Sequence, residues 1–193
     1  MPRPSLKEAR TIELLDAFER CVARFGLDGS TLEKISEEAG VGRPLLRHYL
    51  GNREQMVSAL LNHVLAKFSY LNQSLVSELP EDGRFEIILH RLFDKSYHEM
   101  QQAAVFQALV AASERHDGMA KKLMQFVYEL EEMLTVELKA SKPLATLDDC
   151  STAVSGITSI YFNVDALAPL DPKPAWRTRQ LQAVDWLLDR LDR

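Results

Sequence analysis

Apolar residues recur along the first part of the chain at the spacing of one helix face. Between Ser5 and Phe25 they fall at Ile12, Leu15, Phe18, Cys21/Val22 and Phe25, and Gly26 offers a left-handed stop. This predicts one amphipathic helix of about five turns. Ser30-Thr31-Leu32-Glu33 has the spacing of a capping box, with Ser30 covering an orphan amide and Glu33 reaching back. It predicts a short helix through Leu32, Ile35 and Ala39 that stops at Gly40. A third short helix is expected over roughly 43–50, where Pro44 is tolerable because first-turn amides have no intrahelical partner. Asn52 with Gln55 repeats the capping signal and starts a long helix to about Leu79, ended by Pro80.

Further helices are expected over roughly 83–98, 101–115, 118–141, 147–168 and 175–192, separated by Asp82-Gly83, Asp117-Gly118, Lys142-Pro143 and the Pro169/Pro172/Pro174 linker. The stretch Ala153–Val164 has strand-favouring content. Its spacing at Ala153/Val154, Ile157, Ile160/Tyr161 and Val164 is that of a helix face. The pattern as a whole is all-α, with about nine helices.

Composition bounds this picture. The 193 residues, 46% apolar and 26% charged, are enough to bury a core and do not resemble a disordered chain. Two cysteines, Cys21 and Cys150, make neither a disulfide framework nor a four-thiolate zinc site. No apolar h-region follows Met1-Pro2-Arg3-Pro4 and no run approaches about 18 apolar residues, so a cytoplasmic protein without a membrane span is expected.

The net charge of −5 argues at first against a nucleic-acid partner. Its distribution reverses that. Residues 1–55 hold nine Lys/Arg and nine Asp/Glu, whereas residues 56–193 hold fourteen and nineteen, so the acidity lies in the back of the chain. The front cations group at Arg3, Lys7 and Arg10, at Arg20 and Arg24, at 43–47 and at Arg53, which permits a local basic patch on a neutral domain.

Residues 30–50 form a helix, a turn at Ala39-Gly40-Val41-Gly42 and a second helix. A helix-turn-helix needs a small residue at the crossing, a residue that accepts positive φ at the turn, and apolar residues that lock the helices together. Ser36, Gly40, and the set Ile35, Ala39, Val41 and Leu46 supply these. The second helix then exposes Arg43, Arg47, His48 and Tyr49, donors suited to phosphates and to the guanine edge in the major groove. An ordinary helical hairpin with solvated arginines has the same pattern.

These residues resemble the TetR (tetracycline repressor) family of bacterial transcriptional regulators. The likeness is carried by Phe25-Gly26, by Thr31-Leu32-Glu33-Lys34-Ile35-Ser36-Glu37-Glu38-Ala39-Gly40-Val41, by His48-Tyr49-Leu50 and by Arg53-Glu54, and spans residues 7–60. The chain departs from the family pattern at Gly42 (usually a Ser cap), Pro44-Leu45 (Gly-Thr), Arg47 (an aromatic phosphate contact), Leu50 (Phe) and Arg53 (Lys). The operator sequence therefore cannot be read by analogy. The resemblance implies a three-helix DNA-binding domain over 1–51 and a helical ligand-binding and dimerisation domain over 52–193. It implies that Thr31 and Arg53 hold phosphates, that Lys7 and Arg10 approach phosphates or the minor groove, and that Arg43 leads base reading. Arg47 and Tyr49 would position the recognition helix, with His48 as a further contact. Partners implied are a double-stranded DNA operator, a second copy of the chain and a small effector.

The second half offers candidates for the last two. Helices at 147–168 and 175–192 carry apolar stripes, and Val154, Ile157, Tyr161, Leu181, Val184 and Leu188 are the expected dimer contacts, with Ser155, Gly156 and Ser159 allowing close approach. Phe68, His90, Phe93, Tyr97, Phe106, Phe126, Met133 and Tyr161 are the candidate pocket walls, favouring a hydrophobic effector. Glu86 and His90 with His98 or His116 have a spacing too common to indicate a metal, and no metal or cofactor is expected. No phosphate loop, nucleophile elbow or paired metal motif supports an enzyme. A helical adaptor or small-molecule-binding protein without DNA binding is the remaining alternative, against which the outward Arg43, Arg47 and Tyr49 speak.

Overall fold

The computed structural model describes residues 5–77, 79–80, 82–94 and 100–192; Tyr97 and His98 lie outside the described residues. The described residues are helical with short connections, and two compact units emerge, Met1–Tyr70 with Met100–Met124, and Leu71–Glu99 with Gln125–Arg193. The division thus differs from one drawn at 51/52, because helix α6 (Met100–Ala112) packs along α1 (Leu6–Gly29) in the first unit.

Helix α1 opens with a full capping box: Ser5 Oγ accepts from Glu8 N at 3.2 Å and Glu8 Oε2 accepts from Ser5 N at 2.7 Å. The Ser5 backbone amide first, and the Ser5 side chain after it, hold the Glu8 carboxyl below its ordinary range. Leu14, Leu15, Ala17, Phe18, Cys21 and Val22 form its buried face. At Gly26 the backbone leaves the helical region (φ 69°, ψ 173°), so the expected stop is a kink, after which a last turn runs to Gly29.

The kink moves the next cap by one residue. Ser30, expected to cap α2, is fully buried and its Oγ donates to Gly26 O at 2.7 Å, closing the kink. The exposed Thr31 caps α2 (Leu32–Glu38) instead, accepting from Lys34 N at 3.3 Å. Gly40 turns the chain at φ 64°, Val41 N donates to Ser36 O, and α3 (Arg43–Leu50) begins at Gly42 without a side-chain cap. Only Gly51 and Asn52 separate α3 from α4 (Arg53–Ser77). The expected reciprocal cap of α4 is present, Gln55 N to Asn52 Oδ1 and Asn52 N to Gln55 Oε1, both 2.9 Å.

In the second unit, α5 (Arg84–Phe93), the later part of α7 (Met119–Ser141), α8 (Leu147–Leu167) and α9 (Pro174–Asp189) enclose one apolar core. Phe85, Ile88, Leu92, Leu130, Leu134, Leu138, Ala153, Val154, Ile157, Val164 and Val184 lie in it. Ala153–Val164 is helical throughout. Of the expected dimer residues, Val154, Ile157 and Val184 are buried in this unit's own core. Tyr161 and Leu188 pack partly buried against that core, and Leu181 alone of the six is exposed.

Candidate nucleic-acid interface

Two buried leucines orient α3. Leu46 and Leu50, one turn apart, face inward, which turns Arg43, Arg47 and His48 out to solvent. Tyr49 is half-buried and meets the His48 ring edge-to-face at 5.2 Å. The helix that carries these groups is held from below by α2, whose Glu38 accepts from Arg20 (2.7 Å) and Arg24 (3.0 Å) of α1. The Arg20 bond is the main reason the Glu38 carboxyl lies below its ordinary range. Lys34 Nζ fixes the same joint by donating to Gly29 O at 3.1 Å and sitting 4.0 Å from the centre of the Phe25 ring.

The expected DNA contacts are thereby sorted. Arg43 Nη2 bonds Glu33 Oε1 at 2.6 Å, and both side chains are largely solvated, so the pair is weak and yields readily to a stronger acceptor. Arg47 and Lys7 have no ion pair among the described residues, and both are exposed. Arg10 is paired with Glu13 at 2.6 Å. Arg53 differs from the rest. Its Nη1 donates to Ser30 O at 2.8 Å and its Nη2 to Leu27 O at 2.5 Å, while the guanidinium lies 5.2 Å from the centre of the Phe18 ring. Burial holds that guanidinium below the usual arginine range.

The candidate pocket residues are divided between the two units. Phe68 and Phe106 pair in the first unit, with ring centroids 6.3 Å apart. In the second unit Phe93 meets Tyr161 edge-to-face at 6.1 Å, Tyr161 adjoins Phe162 at 5.2 Å, and Met133 packs on the same core, while Phe126 is buried. Burial also pushes the Tyr161 phenol up from its ordinary range. His90, expected among the pocket walls, is exposed beside Glu86 on the solvent side of α5, because Phe85, Ile88 and Leu92 occupy the core side. A depression of about 850 Å³ lies elsewhere in this unit, against the α7–α8 turn, lined by Lys142, Leu144, Ala145, Leu187 and Leu191. None of the candidate pocket residues lines it.

One cluster escaped sequence reasoning. Asp16 and Glu19 on α1 meet His63 and Lys67 on α4: His63 Nε2 is 2.8 Å from Asp16 Oδ1 and 3.8 Å from Glu19 Oε2, and Lys67 Nζ donates to Glu19 Oε2 at 2.7 Å. The Asp, Glu and His donors are close enough together to hold a metal ion, but the Lys67 ammonium already fills the cation's place between the two carboxylates. Glu19 sits on the buried stripe of α1, the one signal that it needs a partner.

The sequence model described as "Bacterial regulatory proteins, tetR family" matches residues 14–60, which hold most of α1, all of α2 and α3, and the start of α4. The chain is 28% identical over 176 residues, 90% of its length and 87% of the relative's, to the HTH-type transcriptional regulator BetI of Vibrio campbellii. It is 24% identical over 180 residues to BetI of Burkholderia cenocepacia, covering 91% and 92% of the two chains. Among solved structures, a TetR transcription regulator from Haloarcula marismortui superposes with a TM-score of 0.77 at 15% identity, covering 94% of this chain and 97% of that one. A TetR-family regulator from Cytophaga hutchinsonii gives 0.77 at 12% identity, covering 97% of both. With the exposed arginines of a second helix locked onto a capped first one, these likenesses support a DNA-binding transcriptional regulator similar to the TetR family, whose model matches residues 14–60.

Proposed function

We propose that the protein is a repressor that binds a palindromic operator as a homodimer and is released by a small, mostly apolar effector. The observation that carries the reading is the outward face of α3, where Arg43, Arg47 and His48 stand on a helix braced by Leu46 and Leu50. A single eight-residue helix reads few base pairs, so specificity calls for a two-fold arrangement with half-sites about one duplex turn apart, ~34–36 Å. Arg43 reads a base edge and Arg47 a phosphate; Lys7, Arg10, Thr31, His48 and Tyr49 steady the register. Residues 1–51 serve as the DNA-binding domain and 52–193 as the ligand-binding and dimerisation domain, in the cytoplasm; no described helix is long and apolar enough to cross a membrane.

The dimer forms through the exposed sides of α8 and α9, where Trp186 is 75% and Leu181 38% exposed and where Ser155 and Ser159 keep the α8 surface low. The effector site draws on the aromatic group of Phe93, Tyr161 and Phe162, whose rings and neighbours suit an apolar or aromatic compound better than a sugar phosphate.

Footprinting the DNA upstream of the protein's own gene at low salt tests the operator, with protection of an imperfect palindrome expected. Hydrophobic compounds that raise the melting temperature are then titrated into the complex. Coupling of about 1–3 kcal/mol weakens the operator complex roughly 5–150-fold, and the operator weakens ligand binding by the same factor. A stabilising compound that leaves operator affinity unchanged refutes the effector assignment.

A further inference from the structure

The carbonyls of the elbow between α1 and α2 are accounted for almost one by one. Gly26 O accepts from Ser30 Oγ, Gly29 O from Lys34 Nζ and Thr31 N, Leu27 O from Ser30 N and Arg53 Nη2, and Ser30 O from Arg53 Nη1. All these donors but one residue's belong to α2 or to the elbow itself. The exception, Arg53, arrives from the first turn of α4, 23 residues further along the chain. Its backbone position is fixed independently: Gly51 turns the chain at φ 80° straight after α3, and the Asn52/Gln55 reciprocal cap locks the start of α4. The segment that reads DNA, from Thr31 to Leu50, is therefore a loop whose two ends are tied by one planar fork, with the Phe18 ring of α1 beneath it.

We infer that Arg53 is a positioning residue, whose guanidinium clips the two ends of the helix-turn-helix to each other and so sets the pitch at which α3 meets DNA, in place of holding a phosphate. The geometry needs the two parallel donors of a guanidinium. A lysine at the same place offers a point charge and holds one carbonyl at a time, so the exchange is not conservative here. A phosphate-holding residue behaves oppositely, because there the charge matters most and lysine serves.

The inference rests on residues 31–50 being the DNA-reading unit, which binding of the unaltered protein to random duplex and to its operator tests separately in the same series. The protein and its R53K, R53A and R47A variants are titrated with both duplexes across a salt series, well below their melting temperatures and with native helix content confirmed by circular dichroism. For R53A and R53K, operator affinity is expected to fall about 10-fold, the size of one misplaced bidentate base contact, with little change on random DNA. The slope of log affinity against log salt stays that of the unaltered protein, whereas R47A loses about 0.9 of slope for each phosphate contact removed. Recovery of full operator affinity by R53K, or loss of slope in R53A like that of R47A, makes Arg53 a phosphate contact and overturns the inference. So does a folded R53A of lower melting temperature that keeps the ratio of operator to random affinity, since the fork would then be only a brace. If R53A does not fold, R53K decides the matter alone.

Discussion

Removing Lys67 isolates a charge that the fold has taken out of water. The Glu19 side chain is 2% exposed, and among the described residues the ammonium 2.7 Å from its Oε2 is the one cation hydrogen-bonded to it, His63 Nε2 being 3.8 Å away. A hydrogen bond to a charged group contributes about 1.5–3 kcal/mol, and leaving a charged partner buried costs more. The Lys67 side chain is 40% exposed, so water follows the stem out when it is truncated and discounts that cost. Lys67→Ala is therefore expected to destabilise the protein by about 2 kcal/mol, a fall in melting temperature of roughly 4–8 °C for a chain of this size. Glu19→Gln, which keeps the shape and removes the charge, is expected to cost about 1 kcal/mol, since the freed ammonium rotates into solvent. The double variant is expected to be less destabilised than the sum of the two by about 1–2 kcal/mol, the interaction energy of a contacting pair. Thermal and urea unfolding of the four proteins at neutral pH measures this. A coupling below about 0.3 kcal/mol, the additivity expected of independent sites, refutes the reading of Glu19 as a buried charge neutralised by Lys67.

Arg43→Ala is expected to relax base preference at one position per half-site at a cost of about 1–3 kcal/mol, read by competition with single-base operator variants; equal loss on operator and random DNA shows a phosphate contact instead. Gly51→Ala places a Cβ 2.1 Å from Gln55 Oε1 at φ 80°, so stability falls by about 1–3 kcal/mol, and an unchanged melting temperature contradicts the tight α3–α4 turn. The Glu137 carboxyl, held low chiefly by the two 2.8 Å bonds from Arg84, stabilises the fold above the unfolded value of about 4.3 and loses that contribution as pH falls through its lower folded value. Acid titration of unfolding in Glu137→Gln is expected to show a shallower loss below about pH 4.3 than the unaltered protein; identical acid limbs refute it.

The helices were legible where local chemistry decides them. Asn52 with Gln55, Gly40 at the turn and the spacing of Ile35 and Leu46 each act within a few residues, and the structure places each where the pattern did. At Ser30 and Thr31 two competent caps stand side by side, and which one faces solvent depends on the kink at Gly26, a backbone angle that no spacing reveals. Periodicity showed that Val154, Ile157 and Val184 are apolar faces, but a stripe does not name what covers it, and here the chain's own α5 and α7 do. Arg53 and the Glu19–Lys67 pair were hidden for a third reason: their partners lie 23 to 48 residues away, beyond the reach of any local pattern.

Most cations in the described front of the chain are already engaged, and this bears on how it behaves among excess DNA. Of the nine cations in residues 1–55, Arg10, Arg20, Arg24 and Arg43 face carboxylates, and Arg53 and Lys34 are turned to backbone carbonyls. Affinity for arbitrary duplex comes from phosphates neutralised, so a surface offering few unengaged cations is held only loosely by the genome at large. Millions of competing sites then sequester a smaller fraction of the protein, and occupancy of a true operator depends on the ratio of specific to random binding more than on either affinity alone.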